Sequence, residues 1–190
     1  MPFFREAISS MYKFTYVWCM VGLLGVAGCD GNSALMEAVI AGDQARVTQH
    51  LAAGSASVNA QNNYGWTALA HAARKGDIAT AKLLLAKGAD LRVRDQNGWD
   101  PLMRAAEKGH TEVVDLLLAS GADINSATPD GWTALMWAVA RGRLSTVQML
   151  IARGADLQRK TQDGRNVLVV ALGEGQEEIV DALRQAGAQP

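Results

Sequence analysis

From Asn63 onward the chain alternates short apolar clusters with polar, glycine-marked breaks, and the clusters return in register. Leu69, Ala72 and Ala73 are spaced to lie on one helical face, and their small alanines allow a neighbouring helix to come close. A second cluster follows, Leu83, Leu84 and Leu85 in one stretch and Leu116, Leu117 and Leu118 in the next. The pattern predicts two short helices per stretch. Thr67, Asp100 and Thr133 precede the first cluster, where a side-chain oxygen can satisfy free amides at a helix start. Pro101 fits the first helical position, where a missing N–H costs little. Gly76 and its equivalents should end the first helix in a left-handed conformation, and Gly88 or Gly121 should end the second. Between pairs the chain is polar and turn-rich, as in LRVRDQNG from Leu91.

The interval is 33 residues: Gly65, Gly98, Gly131 and Gly164 keep it, as do Gly76, Gly109, Gly142 and Gly175, and Gly88, Gly121, Gly154 and Gly187. The units read NYGWTALAHAARKGDIATAKLLLAKGADL from Asn63, QNGWDPLMRAAEKGHTEVVDLLLASGADI from Gln96 and PDGWTALMWAVARGRLSTVQMLIARGADL from Pro129. This pattern resembles the ankyrin repeat. The resemblance implies an all-α ankyrin-repeat solenoid of about five helix-turn-helix units joined by β-hairpin turns. It covers residues 33–189, in units of 33–62, 63–95, 96–128, 129–161 and 162–189. One unit cannot bury its own apolar face, whereas stacked units share a continuous core. The ends should therefore differ from the middle. Glu177, Glu178, Asp181 and Arg184 give the last unit a water-facing second helix, and Gly173 with Gly175 should make its first helix fray. The first unit lacks its hairpin in this reading and has one residue added after Gly54. The family's histidine in its TPLH stretch is replaced by Ala70, Met103, Met136 and Val169, which removes the hydrogen bonds it would make.

The N-terminal stretch has a different pattern. Phe14 to Gly28 is uncharged and mostly apolar, preceded by Lys13 and followed by Asp30, Gly31 and Asn32. It is short for a membrane span and suits the apolar middle of a signal peptide. Val26-Ala27-Gly28-Cys29 resembles the lipobox of bacterial lipoproteins. The resemblance implies a signal peptide over residues 1–28, lipid on Cys29 as the first mature residue, and a linker over residues 29–32 with a reach of about 10 Å. Asp30 resembles an inner-membrane retention signal, which implies the periplasmic face of that membrane. Translation could begin at Met1 or at Met11. An uncleaved anchor, or an unprocessed leader on a cytoplasmic adaptor, remains the alternative.

Composition narrows the chemistry. A formal net charge of -1 gives no long-range field toward nucleic acid, and both cysteines, Cys19 and Cys29, lie outside the repeats, so no disulfide or Cys/His zinc site can form there. His50, His71 and His110 fall in different units without partners at ligand spacing, and His110, in the family's GH position, is expected to be structural. No catalytic motif is present and no cofactor or small-molecule substrate is expected. An enzyme would have to use groups that read as structural.

The resemblance implies that hairpin tips and first helices line a concave groove, where positions that vary between units choose a protein partner. His71, Arg74 and Lys75 share one helical face, as do Arg104, Glu107 and Lys108, and then Trp137, Ala140 and Arg141. Stacked, they predict a stripe with basic excess. Tyr64, Trp66, Trp99 and Trp132 stand at the hairpin bend, and aromatic residues with arginine are frequent interface anchors. The rings could equally cover only their own hairpins, and the basic side chains could form only a solvated face. The expectation is a monomeric, lipid-anchored protein that meets an acidic or mixed surface of a protein partner.

Overall fold

The computed structural model describes residues 30–53 and 57–189. They contain ten helices in five successive pairs: α1 (Ala34–Ala41) and α2 (Gln44–Ala52), α3 (Ala68–Lys75) and α4 (Ile78–Ala86), α5 (Pro101–Lys108) and α6 (Thr111–Ala119), α7 (Ala134–Ala140) and α8 (Leu144–Ala152), α9 (Val167–Glu174) and α10 (Glu177–Gln185). The leader and Cys29 lie outside the described residues. No described helix is long and apolar enough to cross a membrane.

Each first helix starts on a side-chain cap. Ser33, Thr67, Asp100, Thr133 and Asn166 accept from the amides of Met36, Ala70, Met103, Met136 and Val169. Burial pushes the carboxyl of Asp100 above its ordinary range, against hydrogen bonds from Ser126 and the helix amides. Gly76 ends α3 at φ 75°, a left-handed conformation that lets its amide reach the carbonyls of Ala72 and Ala73. The fifth unit's first helix continues through Gly173 to Glu174 and is capped by Gly175.

The pairs stack in two layers. First helices pack on first helices (α1, α3, α5, α7 and α9 in order), and second helices do the same. Leu69, Leu84, Leu102, Leu117, Leu135 and Leu150 are almost fully buried in one core that runs from Leu35 to Ala188. Polar pairs tie the second layer across units: Thr80 donates to Gln44 at 2.8 Å, and the Thr111 and Thr146 hydroxyls are 2.8 Å apart.

The connections are tight turns rather than paired strands. Asn62, Asp95, Thr128 and Thr161 donate their amides to the carbonyls of Trp66, Trp99, Trp132 and Arg165, but the described residues contain no strand, only an isolated antiparallel bridge between Ala127 and Thr133. The side chain opening each turn bonds into it, Asn62 Oδ1 to the amides of Tyr64 and Trp66 for example, so the loop closes within a few residues and no ladder extends. The turn is also present before α1, where the sequence pattern placed only a linker. Asp30 accepts from the Asn63 amide at 3.0 Å, Asn32 accepts from Asn62 Nδ2 at 2.8 Å, and Gly31 holds φ 67°. Asp30 to Asn32 therefore belong to the stack.

Candidate functional site

The site grows from the turn positions that bring Trp66, Trp99 and Trp132 over the first-helix layer. The Arg104 guanidinium, from α5, lies between two of these indoles, 4.1 Å from the Trp66 ring and 4.2 Å from that of Trp99. One unit on, the corresponding residue is Trp137, whose ring lies 4.1 Å from Trp99 and 4.5 Å from Trp132. Arg74 stands over the near end at 5.5 Å from Trp66, and Arg165 over the far end at 5.7 Å from Trp132. The rings thus do not merely cover their own turns. They form one column across four units in the order Arg74, Trp66, Arg104, Trp99, Trp137, Trp132 and Arg165, with three indoles in succession and each guanidinium over an indole, a placement favoured by the ring quadrupole.

The expected basic stripe is less open than the helical spacing implied. Arg104 and Glu107 are buried, at 7% and 8% exposure. Arg104 pairs with Asp95, which the turn before α5 holds beneath it. Glu107 faces Arg141 at 3.2 Å and Lys108 at 3.6 Å, tying α5 to α7. Lys75 donates to the carbonyls of Val39 and Ile40 at 3.1 and 2.7 Å, closing the end of α1. Arg74 and Tyr64 are exposed, and the Tyr64 hydroxyl donates to Asp30 at 3.4 Å. The structure therefore brings all twelve expected positions to the turns and first helices, but several serve the joints between units.

His71, read from the sequence as a surface residue, is half-buried with its ring 4.9 Å from Trp66, and its Nε2 is buried without a partner. Burial, and then the charges of Arg74, Arg104 and Lys75, lower its pKa from 6.5 to about 4, so it is neutral at ordinary pH. His110 sits 3.0 Å from the Arg74 carbonyl, which can only accept, so Nε2 carries the proton and the ring ties the third unit to the end of α3. Arg143 makes the matching contact one unit later, donating to the Glu107 carbonyl at 3.2 Å.

Asp95, Arg165 and Thr128 were missed from sequence. A signal existed: the turn position is Asp95 only where the helix supplies Arg104, whereas Thr128 accompanies Trp137 and Asn62 accompanies His71.

Neighbouring turns are tied by a backbone bond, Asn63 N to Asp30 O at 3.0 Å, Gln96 N to Tyr64 O at 3.1 Å and Gln162 N to Asp130 O at 2.9 Å. The corresponding residue at the remaining junction is Pro129, which has no N–H to give. An open cleft of about 420 Å³ lies there, lined by Asn97, Trp99, Pro129, Asp130, Trp132 and Trp137 among others. Among the described residues no group of three or more histidine, cysteine or acidic side chains gathers that could hold a metal.

Stacked helix pairs with a turn-lined aromatic column define the class: a helical repeat protein. The chain belongs to the ankyrin repeat family, whose model, described as ankyrin repeats (3 copies), matches residues 17–95, 35–128, 72–161 and 102–190. Ankyrin repeats generally mediate protein–protein interaction, and the family is typically non-enzymatic. A search of curated proteins finds no match to the chain.

Proposed function

We propose that the protein is a non-enzymatic interaction module, anchored by lipid on Cys29 at the periplasmic face of an inner membrane, that binds an envelope protein through its turn and first-helix face. One observation carries the binding half of this reading. The arginine–tryptophan column spends large, costly side chains on a face that a purely structural stack could cover with smaller ones, and these residue types dominate interface energetics. Their internal contacts hold them in place, so little ordering would remain to oppose binding.

The anchoring half rests on the apolar leader and the small residues before Cys29. Because Asp30 accepts from the Asn63 amide, a lipid on Cys29 would hold the first turn against the bilayer without a free spacer. Two acyl signals suffice for firm attachment where one gives only marginal binding. Acyl labelling in a bacterial host tests this: the native chain should take up labelled fatty acid and fractionate with membranes, and Cys29→Ser should do neither. An unlabelled, soluble native chain with its leader intact would favour a cytoplasmic adaptor using the same face. Charge reversal at Arg74, an exposed cation of the column, should weaken capture of envelope partners without lowering the melting temperature. Unchanged capture would remove the column from the binding face.

A further inference from the structure

The junction between the turns at residues 96–99 and 129–132 differs from its neighbours in three respects. Pro129 cannot donate to Asn97, so the Asn97 carbonyl, tied at the corresponding place in the other junctions, has no partner. The carboxylate of Asp130 and the side-chain amide of Asn97 are exposed and likewise make no hydrogen bond or ion pair. The cleft they border is walled by Trp99, Trp132 and Trp137. Acceptors at the mouth and indoles on the walls ask for a ligand that carries donors on an apolar stem.

The neighbouring junction shows what such an arrangement holds. Between Trp66 and Trp99 the chain places its own guanidinium, Arg104, with the carboxylate of Asp95 beside it. Between Trp99 and Trp132 the corresponding side chains are Trp137 and Thr128, so no cation is supplied from within, while the unpaired Asp130 stands at the rim. Arg94, the cation nearest in sequence to this turn, has its guanidinium turned to the carbonyls of Ala127 and Gly98.

We propose that this cleft receives an arginine side chain from an exposed segment of the partner protein, its guanidinium donating to the Asp130 carboxylate and the Asn97 carbonyl and its methylenes lying against the three indoles. The inference rests on the protein-binding reading above and refines it: a partner surface generally acidic or mixed must also present a cation at this junction. Arginine rather than lysine is favoured because its planar fork can serve two acceptors at once and its weakly hydrated face tolerates indole walls.

The test uses the repeat-bearing protein and three blocked peptides of equal length, alike except for a central arginine, citrulline or glutamate. Two-dimensional NMR follows the amides of Asn97 and Asp130 and the indole N–H groups of Trp99 and Trp132. The arginine peptide should shift these signals saturably and bind about tenfold more tightly than the citrulline peptide, and Asp130→Asn should remove most of that difference. The double variant Thr128→Asp with Trp137→Arg copies the neighbouring junction and should fill the cleft from within, abolishing binding. If that variant does not fold by circular dichroism, Asp130→Asn alone decides, since Asp130 is exposed. Equal binding of arginine and citrulline peptides, or arginine-dependent shifts confined to other residues, would overturn the proposal. If this cleft stays empty while Arg74 reversal still weakens partner capture, only the refinement fails. If both fail, the binding face itself is wrong.

Discussion

Arg104 and Asp95 form an ion pair that solvent scarcely reaches, their side chains 9% and 3% exposed, and the pair joins a first helix to the turn that precedes it. Removing one partner leaves the other charge buried alone. Asp95→Thr should therefore cost about 3 kcal/mol of stability in urea denaturation. Adding Arg104→Trp should recover most of that loss, because Thr128 and Trp137 already stand together one unit later. A double variant no more stable than Asp95→Thr would show that the two positions are not coupled.

His71 gives a pH signature. Its folded pKa, about 4, lies below the 6.5 of the unfolded chain, so above pH 6.5 both states are neutral and the contribution to stability is complete. As pH falls toward 4 the unfolded chain takes up a proton that the folded one refuses, and roughly 3 kcal/mol is lost. Urea titrations at about pH 7.5 and about pH 4.5 should show a smaller drop for His71→Gln than for the native chain. Equal drops would mean that the histidine is not held neutral. Asp100 works in the opposite direction, since its raised carboxyl pKa favours the folded state as pH falls, so the comparison has to be made between variants.

Two glycines separate backbone strain from crowding. Gly76 and Gly88 both hold positive φ, but a Cβ at Gly88 would meet nothing within 4 Å, whereas at Gly76 it would lie 2.5 Å from the His110 ring. Gly88→Ala should cost about 1 kcal/mol from conformation alone. Gly76→Ala should cost about 1 kcal/mol more, because the ring must move off the Arg74 carbonyl. Similar losses in thermal melting would contradict the assigned role of His110 as a tie between units.

Much of this architecture is legible in one sequence because a repeat states its rules several times. The caps Thr67, Asp100 and Thr133, the left-handed Gly76 and the buried Leu69, Ala72 and Ala73 follow from local chemistry that each unit obeys on its own. What the helical period could not reveal is what comes down on a face from the next segment. Arg104 and Glu107 share a face with Lys108, yet turn residue Asp95 and the following unit's Arg141 decide that the first two are buried. Lys75 similarly finds its partners, Val39 and Ile40, a whole unit away. The turn at Asp30 is hidden in the sequence because the first unit is one residue longer, so Gly31 falls outside the 33-residue register of Gly65, Gly98, Gly131 and Gly164. The junction opened by Pro129 shows only when the turns lie side by side.

The claim that the turn and first-helix face meets a partner is tested most directly by site-specific photocrosslinking in the native envelope. A photoreactive residue replaces Tyr64, exposed beside the column, or Lys82, exposed on the second-helix layer. A partner on the turn and first-helix face should give a discrete crosslinked protein from position 64 and none from position 82. A discrete product from position 82 with nothing from position 64 would place the partner on the opposite face.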